Sequence, residues 1–260
     1  MSLQEFGTPF LHLLDRNFFY DYIYNTIIIQ NFNLKEGFAM VKTNQKGFTL
    51  LELAIVLVII GIILGAILKG QELINNAKAK RLLNDTKGLA TLQYTFYDRY
   101  GRFAGDCDNN GAIDYSPPDS ADTPDKFTTT KYEFCYDSTN PTPKNDPNPQ
   151  WEELGKAQLV SFTNAREVAR NPYNGALYAA SVTDANNVNV SYNVIVATQV
   201  PCYAAKVVDQ AIDGSIDANN GNVRILNGTT YGDGTSDATW GCTSEQQLVS
   251  YVYFFDRRPN

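Results

Sequence analysis

Residues Phe48–Leu68 read FTLLELAIVLVIIGIILGAIL, an unbroken apolar run whose only charge is Glu52. Coiled as a helix rising ~1.5 Å per residue, it spans ~31 Å, about one hydrocarbon core. A cleaved secretory signal would have a shorter apolar region and a small-residue cleavage site after it. The sequence that follows, GAILKGQ, is a poor site of that kind. A plain anchor has no use for Glu52, because a carboxylate costs about 2.5–3.5 kcal/mol at mid-bilayer and less near an end. The acid therefore marks function.

The stretch Lys46-Gly47-Phe48-Thr49-Leu50-Leu51-Glu52 resembles the prepilin cleavage and methylation motif of type IV pilin-like proteins. That motif needs glycine before the cut, a hydrophobic first residue, and glutamate as fifth residue of the processed chain. The resemblance implies cleavage between Gly47 and Phe48 by a membrane prepilin peptidase, with N-methylation of Phe48. It also implies that Glu52 neutralises the new amine of an adjacent subunit, so that the pair sets register in a filament. An unpaired buried charge is costly, and anions are favoured near a helix N-terminus.

The implied partners are other pilin or pseudopilin subunits, the peptidase, and the inner membrane with its assembly platform. The implied route runs from a bacterial inner-membrane precursor, head in the periplasm or outside, to a surface pilus or pseudopilus. Major pilins of the family carry a proline further along the helix, where Lys69 stands here. Its absence favours a minor pilin or secretion pseudopilin over a major subunit. The alternative is a membrane-anchored adhesin or binding protein that never polymerises.

Charge and cysteine usage fit this division. From Arg102 onward there are 20 acidic and 11 basic residues, against 8 and 10 in residues 1–101. A net charge of -7 argues against nucleic acid as the primary partner, since phosphates are bound by clustered Lys and Arg. Lysines flank the apolar run on both sides, so charge bias leaves its orientation open. Cys107, Cys135, Cys202 and Cys242 all follow the run, without metal-ligand spacing. Of three possible pairings, neighbours are expected, Cys107–Cys135 and Cys202–Cys242, because each pair brackets a loop-rich stretch. Such bonds persist outside the cytosol.

The expected organisation is a leader over 1–47, a membrane-spanning or filament-core segment over 48–69, and a globular head over 70–260. Residues 1–39 are odd company for a leader. Phe, Tyr, Ile and Asn fill 17 of those 39 positions, and Lys35-Glu36-Gly37 can be encoded by a ribosome-binding sequence just before Met40. Met40 is therefore the expected start of translation. Leu82, Leu89, Leu92, Phe96, Tyr100 and Phe103 recur on one helical face, which predicts one helix from about Thr49 to Tyr100, ending near Gly101. Ser116–Gln150, rich in Pro, Asp, Thr and Asn, reads as a long surface loop. A short helix is expected over Trp151–Leu159 and another over Tyr203–Ile212. Strands are expected at Ala176–Val182, Asn189–Val196, Val223–Leu226 and Leu248–Phe255, with Asp184–Asn187 as a turn. The fold class is α+β: a pilin-like long helix, its first half membrane-spanning, packed on a small antiparallel sheet.

Two acidic stretches invite a metal reading. Asp106, Asp108, Asn110, Gly111 and Asp114 match the first nine positions of an EF-hand-like loop, so calcium is possible there, though none is required. Position 12 is Pro117, and Asp119 is the nearest substitute. The second stretch, Asp209–Asp217 followed by Gly221-Asn-Val223-Arg224, resembles a segment found in pilin-like proteins with large heads. Ala211 occupies its third position and cannot ligate. A helix-ending turn is expected there, with Arg224 pairing an acid. The only histidine is His12, ahead of Gly47. A processed chain would have no histidine for acid–base catalysis or zinc ligation, and no phosphate-binding glycine loop appears. No enzyme is expected.

Overall fold

The computed structural model describes residues 49–116, 123–127, 135, 146–161, 164–183, 190–227, 230–232, 237 and 239–258. The chain divides into two compact units, Met1–Val58 and Ile59–Asn260. In the first, the described residues are Thr49–Val58, the opening of helix α1 (Leu50–Tyr100).

The second unit carries the rest of α1, then a 3-10 turn (Pro124–Lys126), α2 (Pro149–Lys156) and α3 (Ala165–Val168). Strands β1 (Leu177–Thr183) and β2 (Ser191–Pro201) follow, then α4 (Cys202–Asp213), β3 (Val223–Asn227), β4 (Thr230–Tyr231) and β5 (Leu248–Phe254). The strands form one antiparallel sheet in the order β1-β2-β5-β3-β4.

The second half of α1 packs through Ala79, Leu82, Thr86, Leu89, Ala90, Gln93 and Phe96, spaced mostly by three and four. Two polar residues on this face are fully satisfied. The Thr86 hydroxyl donates to the Leu82 carbonyl and shares a 2.8 Å hydrogen bond with the Tyr251 hydroxyl of β5. The Gln93 amide accepts from Ala104 N–H at 3.0 Å and donates back to the Ala104 carbonyl. Gly101, at φ +74, ends the helix; its N–H donates to Tyr97 O. Beyond it Phe103 is buried against Tyr94, Tyr97 and Phe255. Tyr100, expected on the packed face, is instead exposed, because the chain turns at Gly101 and Phe103 takes the core position.

The stretch read as loop from Ser116 to Gln150 is not all loop. Phe127 is buried beside Tyr178, and Pro149 and Gln150 already belong to α2. Proline is well suited to a first helical turn. The Gln150 amide accepts from Ala179 N–H at 2.6 Å and donates to Ala179 O at 2.7 Å, tying α2 to β1. The expected turn Asp184–Asn187 lies outside the described residues.

Disulfides join Cys107 to Cys135 and Cys202 to Cys242. Arg102 and Glu153 form a part-buried, two-pronged ion pair, and Glu153 Oε2 also accepts from Gly105 N–H. This pair clamps the chain leaving α1 onto α2.

Candidate functional site

The opening of α1 is built by Thr49. Its N–H and hydroxyl donate to Glu52 Oε2 at 2.9 and 3.0 Å, and Glu52 N–H donates to Thr49 Oγ1 at 3.2 Å. This reciprocal arrangement is a capping box, a threonine followed three residues on by glutamate, satisfying otherwise orphaned donors. Threonine and glutamate at this spacing make the cap legible in the sequence. Gly47 and Phe48 lie outside the described residues.

Behind this cap every residue from Thr49 to Lys69 is exposed. Leu50, Leu57, Ile62 and Leu68 are each more than 60 % exposed. Burying such a side chain is worth roughly 1.5–3 kcal/mol. Over the whole run this reaches some tens of kcal/mol, more than the 5–15 kcal/mol net stability typical of a domain. The segment therefore belongs in lipid or against other apolar surfaces. Among the described residues, α1 is the one helix long and apolar enough to cross a membrane. Lys69 and Glu72, just past the run, form an exposed ion pair without breaking the helix.

The first acidic loop follows Gly101. Oxygens of Asp106, Asp108 and Asp114 lie within 4.8 Å of one another. Asp106 is fully buried and accepts from Asn110 N–H at 3.1 Å and Gly111 N–H at 3.0 Å. Asp108 accepts from the Asn110 N–H and amide, Asn110 Oδ1 from Ala112 N–H, and Asp114 from Cys107 N–H. Gly111 sits at φ +88, which permits the turn. Burial pushes the Asp106 and Asp114 carboxyls above their ordinary range, and the Asp108 charge adds to this. Asn193 of β2 fastens the loop by accepting from Ile113 N–H and donating to Gly111 O. Pro117 and Asp119 lie outside the described residues.

The second acidic stretch is a turn. Gly214, at φ +79, caps α4 with its N–H on Gln210 O. Asp213 accepts from Asn222 N–H and Val223 N–H, launching β3. Asp209 is fully buried; its Oδ2 accepts from Asp217 N–H at 2.7 Å and Trp240 Nε1 at 3.1 Å, while Oδ1 has no partner. Arg224, expected to pair an acid, donates to the carbonyls of Gly221 and Gly232 and lies over the rings of Tyr231 and Phe254.

An α+β head and a long apolar helix with a capped N-terminal acid are a pilin-like architecture and fit a membrane-anchored precursor. Residues 42–68 match the family model of the prokaryotic N-terminal methylation motif, the type IV prepilin-type signal. The match shows a prepilin-type N-terminal signal on this chain, of the kind carried by type IV pilin and pseudopilin precursors. No curated protein and no solved structure matches it.

Proposed function

We propose that this chain is a structural subunit of a type IV pilus or a secretion pseudopilus, a minor pilin or pseudopilin rather than the major subunit. It is cut after Gly47, N-methylated at Phe48 and assembled through its apolar helix with other subunits. The observation that carries the reading is Glu52, the lone acid in the exposed apolar stretch Leu50–Leu68 that opens α1. Against a neighbouring subunit, it would answer that subunit's amine. The unbroken helix through Lys69 supports the minor or pseudopilin assignment, since proline would interrupt the hydrogen-bond ladder.

Glu52 also caps its own helix, so the two roles must be separated. Glu52→Gln keeps an acceptor for Thr49 and removes the charge; Thr49→Ala removes the cap and keeps the charge. Assembly is expected to fail in Glu52→Gln and survive in Thr49→Ala, with both precursors cleaved at Phe48 by mass spectrometry. A Glu52→Gln protein that behaves as the parent does, with neither recovered in sheared filaments, would favour the non-polymerising anchored adhesin. A dominant band of this subunit in sheared filaments would make it a major pilin.

Calcium is a secondary proposal at Asp106, Asp108, Asn110 and Asp114, supported by the convergence of three carboxylates. Calorimetry on the processed chain should give heat that Asp108→Ala removes. No heat in the parent chain ends the idea.

A further inference from the structure

β2 pairs with β5 through a register shift between Ala197 and Val200. Gln199 occupies this bulge at φ +54, a left-handed conformation uncommon for residues other than glycine. Bulges re-aim side chains, and backbone held in sparsely populated regions clusters at binding sites. Nearby, β3 pairs β5 as far as Ile225 opposite Tyr251 and continues with β4 through Leu226 and Tyr231. A cavity of about 460 Å³ opens here, walled by Gln199, Ile225, Asn227, Trp240, Gln247 and Leu248 among others. Trp240 is a second left-handed residue, at φ +62.

The chemistry of this wall is specific. Among the described residues no charged side chain lines it. Among the same residues, the side-chain amides of Gln199 and Asn227 have no hydrogen-bond partner. Gln247 Oε1 accepts from the Thr243 N–H and hydroxyl, which leaves its NH2 uncommitted. Uncommitted amides both donate and accept, as a sugar hydroxyl does. A neutral wall gives an ionic ligand nothing to offset its desolvation. Ile225 and Leu248 supply apolar surface for C–H faces. The volume lies in the ordinary range for small-ligand sites.

We propose that this cavity is a binding site for a neutral carbohydrate, a mono- or disaccharide unit of a glycan. The site is separate from the assembly helix and goes beyond the subunit reading. The test uses the processed chain in a detergent without a sugar headgroup. Lactose, maltose and N,N′-diacetylchitobiose are titrated by calorimetry and tryptophan fluorescence, beside 3′-sialyllactose and trialanine. At least one neutral disaccharide is expected to saturate, and no tighter binding is expected from the anionic sugar or the peptide. Gln199→Gly deletes the amide while easing the backbone, so it should fold; it and Gln247→Ala are expected to weaken binding about tenfold, ~1.4 kcal/mol. Both variants should still assemble, which separates failure here from failure of the filament reading. The proposal is overturned if no disaccharide saturates up to about 50 mM, a ceiling weaker than the ~4 kcal/mol of a millimolar site. Unchanged affinity in both variants, or tighter binding of trialanine or sialyllactose, overturns it equally.

Discussion

Replacing Asp209 by asparagine should make the stability curves of parent and variant cross as pH changes. The Asp209 carboxyl is fully buried, with one oxygen unpartnered. Burial, with the charges of Asp213 and Asp217 adding to it, raises it from 3.8 to about 7, against the opposing hydrogen bonds from Asp217 N–H and Trp240. An acid raised in the folded state holds a proton that the unfolded chain has already released. Its contribution is therefore fully present below about pH 4 and is lost as pH rises toward 7. At ~1.4 kcal/mol per pH unit, the ceiling on this loss is about 4 kcal/mol. Asparagine does not titrate, and its oxygen can keep both donors. Its NH2 takes the place of the unpartnered oxygen, at a desolvation cost of about 1–3 kcal/mol. The variant is thus expected to be less stable by that amount near pH 4 and more stable by about 1–3 kcal/mol at pH 8. Urea denaturation of the disulfide-intact head-bearing chain, followed by tryptophan fluorescence across this range, measures both arms. Asp106, Asp114 and Glu152 are also raised by burial, so only the difference between the two proteins is read. A constant offset between the curves would refute the reasoning.

Two further outcomes test the turn and the crosslinks. Gly221→Ala places a Cβ 2.5 Å from Asp213 Oδ2 at φ +86 and should lower stability by more than about 1 kcal/mol, read as a reduced urea midpoint. Replacing Cys202 and Cys242 with serine opens a bond closing 40 residues and should lower stability by about 3–4 kcal/mol by chain-entropy reasoning.

Much of this architecture can be read from residue spacing. Leu82, Leu89 and Phe96 lie on the packed face that their intervals imply, and Gly101 ends α1 where a left-handed cap is needed. Strands β1, β3 and β5 surface as apolar or alternating runs to within one residue at their ends, whereas β2 runs five residues past its expected end. What spacing hides is polar chemistry inside the core. Gln93 and Gln150 look like surface residues, yet each amide replaces a backbone partner, with Ala104 and with Ala179. No pattern of apolar residues encodes that. The helical start at Pro149 was masked by the turn-forming composition around it. The bulge at Gln199 lies in the extension of β2 past Val196, its expected end. At the N-terminal signal, the position of Glu52 is legible from its motif, and its bonds to Thr49 from a threonine standing three residues before a glutamate.

The latest strand in sequence, β5, lies in the middle of the sheet, between β2 and β3. Without Leu248–Phe254, β1 and β2 form one hairpin and β3 and β4 another, with no strand pairing between them. Tyr251 and Phe255 also supply what Thr86 and Tyr94 on α1 wait for. The central strand is thus the last to be synthesised, and a chain cut short before Leu248 would lack the strand on which both hairpins pair.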